Sequence, residues 1–195
     1  MSKKRVFIIH GWGGSPDEPL HKWLKSELEK NGFEVVVPEM PNSEEPEIEV
    51  WVSNLKEIVG APDRNTILVG HSIGCQTILR YLEKLHPASK VGGVVFIAPW
   101  LTLSNLESDK ERRVAEPWLN TPIKETDLIK YALKITAIFS DNDPYVPSEN
   151  IELFKKRFNA EIIIEHEKGH FAADDGVEKL ESALNAILKV KIIEE

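Results

Sequence analysis

A serine set between two glycines, two aspartates in a short loop and two histidines near the end of the chain are the residues here that could do chemistry together. Gly70-His71-Ser72-Ile73-Gly74 spells G-x-S-x-G, behind the apolar run 66–69 and ahead of residues with helical period. That context predicts Ser72 on a sharp turn from strand to helix. A serine on such a turn has a strained backbone, and side chains at the flanking positions would collide with neighbouring elements, so Gly70 and Gly74 suit it. The turn also sets the hydroxyl at a helix N-terminus, where backbone N–H groups and the helix dipole favour developing negative charge. Cys75 lies in the first turn of that helix among Ile73, Ile78 and Leu79, and reads as a small buried residue, not as a rival nucleophile.

A serine hydroxyl reacts only when a base takes its proton and a carboxylate orients that base. On a parallel sheet these groups come from loops at the carboxyl ends of later strands, in the order serine, acid, histidine. Two loops qualify: Asp141-Asn142-Asp143-Pro144-Tyr145-Val146-Pro147 and His166-Glu167-Lys168-Gly169-His170-Phe171. Of the six histidines, His10 and His71 precede Ser72, His21 falls in an amphipathic helix and His86 ends another. His170, on a free loop behind Gly169, fits the base better than His166, which abuts a strand end. Asp143 is preferred to Asp141 because Pro144 holds it extended, while either could instead cap a turn. An oxyanion would need two backbone donors. Ile73 N–H is one, and Trp12 N–H, in His10-Gly11-Trp12-Gly13-Gly14 after the first strand, is the candidate for the other.

Three other chemistries are disfavoured. His166-Glu167-Lys168-Gly169-His170 spells the zinc-binding H-E-x-x-H, but that pattern grips a metal only on a helix, and here it follows Ile162-Ile163-Ile164 and contains a glycine. Gly11-Trp12-Gly13-Gly14-Ser15-Pro16 has proline where a dinucleotide loop needs its third glycine, and no G-x-x-x-x-G-K-[ST] occurs. No metal or organic cofactor is expected.

The elements that must position these residues alternate along the chain. Runs rich in Val, Ile and Leu predict strands at 5–10, 34–37, 66–70, 93–98, 135–140 and 161–165, and segments of helical period predict helices at 19–31, 47–59, 73–85, 125–132, 148–158 and 177–188. This is an α/β pattern: a mostly parallel sheet of about six strands covered by helices on both faces. The 195 residues, 42% hydrophobic and 29% charged, suit one domain over 1–195. The acidic, Pro-rich stretch 38–46 reads as a solvated connection. Residues 99–122 are too long for a simple connection and read as a lid-like insertion. Trp51 belongs to a helix's apolar stripe; Trp12, Trp100 and Trp118, on loops, would either line an apolar acyl pocket with His71 or seal the edge of the core. A net charge of −8 repels phosphate backbones and disfavours nucleic acid as a partner. The longest apolar stretch, 94–101, is far too short to span a membrane, and the single cysteine with no signal-like N-terminus fits a reducing, cytoplasmic setting.

Taken together, Val6-Phe7-Ile8-Ile9-His10-Gly11, Gly70-His71-Ser72-Ile73-Gly74-Cys75, Asp143-Pro144-Tyr145-Val146-Pro147 and Gly169-His170-Phe171 resemble the small α/β-hydrolases of the retinoblastoma-binding serine hydrolase and YdeN-like family. The resemblance spans almost the whole chain. It implies an α/β-hydrolase sheet trimmed of its first strands, a Ser72, Asp143, His170 triad and serine hydrolase activity on esters. His10-Gly11-Trp12 stands where broader lipases and esterases carry an H-G-G-G run. The expectation is a carboxylesterase for small to medium acyl esters that works through an acyl-enzyme, with thioesters and amides as further substrate classes. The competing expectation is a protein-binding scaffold on the same fold with little turnover, its partner unidentified.

Overall fold

The computed structural model describes residues 4–123, 128 and 130–190. Six strands, β1 (Arg5–Ile9), β2 (Glu34–Val36), β3 (Thr66–His71), β4 (Gly93–Ile97), β5 (Ile135–Ser140) and β6 (Glu161–Glu165), form one sheet in the order β2-β1-β3-β4-β5-β6. Every pairing is parallel. β3, β4 and β5 are buried along their whole length, which is why they read as unbroken apolar runs. β6, at the edge, has exposed Glu161 and Ile164, and its charged ends discourage further strand pairing.

Around the sheet pack helices α1 (Pro19–Lys30), α2 (Ile48–Val59), α3 (Ile73–Glu83), α4 (Asp109–Asn120), α5 (Glu149–Phe158) and α6 (Glu181–Leu188), each complete among the described residues. α1 packs on α6 and α2 on α3, closing the two faces of the sheet. The chain runs from β1 out to β2 at one edge, then back past β1 to β3. Loops leaving the carboxyl ends of β1 and β3 therefore diverge and open a crevice, the usual place for a ligand on such a sheet.

Two expectations need correcting. The helix expected over 177–188 starts only at Glu181, although Val177 and Leu180 are already buried. The insertion 99–122 is half helix. α4 begins with a reciprocal capping box, in which Ser108 Oγ accepts from Glu111 N and Glu111 Oε2 accepts from Ser108 N. It is tied down from α3, where the buried Arg80 guanidinium donates to the carbonyls of Trp118 and Thr121 and lies over the Trp118 ring. The helix expected at 125–132 falls partly outside the described residues.

Candidate active site

β3 delivers Ser72 into a strained turn, with φ +52° and ψ −117°. For a non-glycine residue this backbone costs on the order of 1–3 kcal/mol, so its surroundings must enforce it. They do so by close packing. A Cβ on Gly70 would lie 2.7 Å from Cys75 N, and one on Gly74 only 2.3 Å from the Ile9 carbonyl oxygen. The two glycines let α3 start directly against β1 and β3. Ser72 N donates to Ile97 O at 2.9 Å, and Ser72 O accepts from Cys75 N at 2.9 Å.

The loop after β5 presents a fixed carboxylate. Asp143 Oδ1 accepts from the backbone N–H groups of Tyr145 and Val146, at 2.9 and 3.1 Å, leaving Oδ2 free to face His170. The loop after β6 is sewn to it: Asn142 Oδ1 accepts from Gly169 N at 2.8 Å, and Ser140 Oγ from Lys168 N at 3.0 Å. Gly169 has φ +52°, and a Cβ there would come within 2.3 Å of Asp175 Oδ1. Asp175 in turn accepts from His170 N at 2.8 Å.

These loops bring Ser72, His170 and Asp143 into one hydrogen-bonded chain. His170 Nδ1 is 2.8 Å from Asp143 Oδ2, and His170 Nε2 is 2.9 Å from Ser72 Oγ. A carboxylate only accepts, so Nδ1 carries the ring proton and Nε2 offers its lone pair to the hydroxyl. The Asp143 side chain is 2% exposed and that of His170 16%. Asp141 lies outside this chain and pairs with exposed His166. His166 and His170 do not share a helix face, because Glu167 and Gly169 both have positive φ.

Four further expected residues fall around Ser72. Ile73 is the first residue of α3, so its N–H has no acceptor within the helix. Trp12 stands in the loop after β1, and its indole N–H donates to Glu44 O at 2.9 Å. Among the described residues, neither the Ile73 nor the Trp12 backbone N–H has a hydrogen-bond acceptor. His71 is buried, its Nε2–H donating to the His170 carbonyl at 2.8 Å. Burial first, and the neighbouring His170 second, push its pKa down to about 3, so the ring is neutral. A cavity of about 460 Å³ opens over Ser72 and His170, and Trp12, His71 and Trp100 line it.

Trp118 is elsewhere. It is 1% exposed, donates from Nε1 to Pro46 O at 3.0 Å and meets Trp51 edge-on with centroids 6.3 Å apart. Of the two roles open to it, it takes the one at the edge of the core. The stretch 38–46 is more than a solvated connection, since Glu44 holds the Trp12 indole and lines the cavity. Sequence reasoning also missed Leu103, Leu106, Ala115 and Tyr145 as lining residues. The capping signal of α4 would have pointed to Ala115, and Tyr145 sits two residues from Asp143. Asp175 carried no signal. Cys75 is fully buried, which raises its thiol pKa and removes it from nucleophilic chemistry.

The serine hydrolase family matches residues 6–189, nearly the whole chain. The chain belongs to the serine hydrolase family. Among its relatives, YdeN of Bacillus subtilis (strain 168) is 28% identical over 177 residues, covering 91% of this chain and 90% of YdeN. Serine hydrolase RBBP9 of Rattus norvegicus is 25% identical over 166 residues, covering 83% and 78% of the two chains. The crystal structure of the B. subtilis ydeN gene product superimposes with a TM-score of 0.88 at 26% identity, over 96% of this hydrolase and 98% of that chain. Est1E from Butyrivibrio proteoclasticus, solved with ferulic acid bound, shares the fold at a TM-score of 0.67 and 17% identity, over 95% and 90% of the chains. The hydrolase therefore has the α/β-hydrolase fold. Among its described residues no helix is long and apolar enough to cross a membrane.

Proposed function

We propose that this serine hydrolase cleaves carboxylic esters of small to medium acyl groups through a covalent acyl-enzyme. The observation that carries the reading is the unbroken chain Asp143 Oδ2, His170 Nδ1, His170 Nε2, Ser72 Oγ, with contacts of 2.8 and 2.9 Å at a strained strand-to-helix turn. Ser72 Oγ attacks the ester carbonyl while His170 Nε2 takes its proton. The imidazolium is held by Asp143, whose own position is fixed by two backbone N–H groups. The unpaired N–H groups of Ile73 and Trp12 receive the oxyanion. His170 returns the proton to the leaving alcohol, and a water activated by the same nitrogen then cleaves the acyl-enzyme.

A cavity of about 460 Å³ suits a small-molecule acyl group, and Trp12, Trp100, Leu103 and Tyr145 give it an apolar and aromatic wall. Residues 99–122, with α4 anchored by Arg80, serve as a fixed lid over a single domain. The buried, unpaired Cys75 fits a cytoplasmic location.

Covalent labelling with a fluorophosphonate probe tests the proposal, comparing the native protein with Ser72→Ala and His170→Ala. The native chain should label and both variants should not. A native chain that fails to label supports the binding-scaffold reading instead. An acyl-length series of esters, thioesters and amides then ranks the substrate classes, and preference for long fatty acyl chains would contradict the pocket assignment.

A further inference from the structure

Beside Ser72, three titratable side chains meet whose free atoms the hydrolytic hydrogen-bond chain leaves unused. Glu18 caps the start of α1, His21 stands in its first turn and His71 ends β3, and one ligand-type atom from each lies within 4.8 Å of the others. Both histidines are buried, at 0% and 5% exposure. Each has one ring nitrogen on a backbone carbonyl: His21 Nδ1 is 3.2 Å from Ser15 O, and His71 Nε2 is 2.8 Å from His170 O; His21 Nδ1 is also 3.3 Å from Glu18 Oε2. Carbonyl oxygens only accept, so those nitrogens carry the protons. The opposite nitrogens, His21 Nε2 and His71 Nδ1, are left as buried lone pairs, and neither has a partner among the described residues.

We propose that Glu18, His21 and His71 bind a divalent transition metal of the Zn²⁺ class. Two imidazoles with one carboxylate suit Zn²⁺ and its late first-row neighbours, not Ca²⁺ or Mg²⁺, which take oxygen ligands. Anchoring of each outer N–H on a backbone carbonyl is the arrangement that orients metal-binding histidines. Coordination through the free nitrogens satisfies two buried acceptors and keeps both carbonyl bonds, while the Glu18 carboxylate turns from His21 Nδ1 to the metal. The corner is held open by two glycines: a Cβ on Gly14 would lie 2.5 Å from Glu18 Oε1, and one on Gly11 3.2 Å from His71 Nδ1. This cluster is separate from His166-Glu167-Lys168-Gly169-His170, and binding there is independent of whether Ser72 is a nucleophile.

Titration of metal-free native protein tests it, with Co²⁺ followed by its visible d–d absorption and Zn²⁺ by calorimetry. One equivalent should bind, with cobalt bands typical of mixed nitrogen and oxygen ligation. Glu18→Gln should weaken binding by about tenfold or more, and His21→Gln should abolish it in protein whose circular dichroism is native. Glu18 is only partly buried, so its variant decides the matter if His21→Gln fails to fold. His166→Ala, which removes the exposed imidazole that could compete together with Asp141 and Glu167, should leave the titration unchanged. Absence of band and heat with native protein, equal affinity in Glu18→Gln, or loss of binding in His166→Ala overturns the proposal.

Discussion

The loops that follow β5 and β6 build two acid–histidine pairs side by side, from aspartates two positions apart and histidines four apart. Asp143 and His170 are 2.8 Å apart with side chains 2% and 16% exposed; Asp141 and His166 are 2.5 Å apart but 42% and 79% exposed. The shorter contact is not the more consequential one. Water screens the outer pair, while the inner pair is sheltered, so charge on His170 is felt strongly by Asp143. The two also differ in what the far ring nitrogen meets. His170 Nε2 faces the Ser72 hydroxyl, whereas the far nitrogen of His166 lies 3.8 Å from a Glu167 carboxylate oxygen. An acid–histidine contact becomes catalytic equipment only with burial and a third partner.

That contrast is most exposed to failure at His170. His170→Ala should lower kcat for ester hydrolysis by on the order of 10⁶, since losing the base of such a unit removes nearly all of its effect. Next comes Asp143→Asn, expected to cost about 10⁴ in kcat because an amide cannot hold the imidazole in the required tautomer. Steady-state rates on a chromogenic ester read both. An active Asp143→Asn beside an inactive Asp141→Asn would exchange the roles of the two pairs.

Gly169→Ala separates the pairs more finely. The new Cβ meets the Asp175 carboxylate at 2.3 Å, and Asp175 holds the backbone N–H groups of His170 and Ala172. The inner histidine should shift while the outer pair, anchored through Glu167 N, stays in place. A displacement of about 1 Å at a catalytic group costs roughly 10² in rate, and the strained backbone adds about 1–3 kcal/mol of destabilisation. Rates together with urea midpoints measure the two effects. Native kcat/KM in this variant would mean that His170 tolerates a loose loop.

How far this arrangement was legible in the sequence depends on how local each cause is. The strands could be read because sheets covered on both faces demand unbroken β-branched runs, as in β3 and β5. Gly70 and Gly74 could be read because the turn imposes them within a few residues of Ser72. α4 was missed although Ser108 and Glu111 spell its cap. Its first turns are almost all charged, Pro117 interrupts it, and its tether is Arg80 on α3. Trp118 was undecidable locally, since its partner Pro46 lies 72 positions away. Asp175 and the meeting of His21 with His71 are likewise products of tertiary packing, which no spacing along the chain encodes.

The smallest effect should come from the outer pair. Asp141 has its pKa lowered first by the Glu167 backbone N–H and then by His166, yet its side chain is open to solvent. A carboxyl held below its ordinary value adds stability at pH values above the ordinary 3.8 and loses it as the pH falls through the native value. Any destabilisation in Asp141→Asn at neutral pH should therefore disappear in acid. Solvent screening keeps even the neutral-pH effect small, so the urea midpoint should stay close to native. kcat/KM of Asp141→Asn and of His166→Ala should remain within about threefold of native, because Asn142 and Ser140 still hold Gly169 N and Lys168 N. Should either variant instead lose rate as Gly169→Ala does, the outer pair would be a clasp on the catalytic loop, and exposure alone would no longer separate the two.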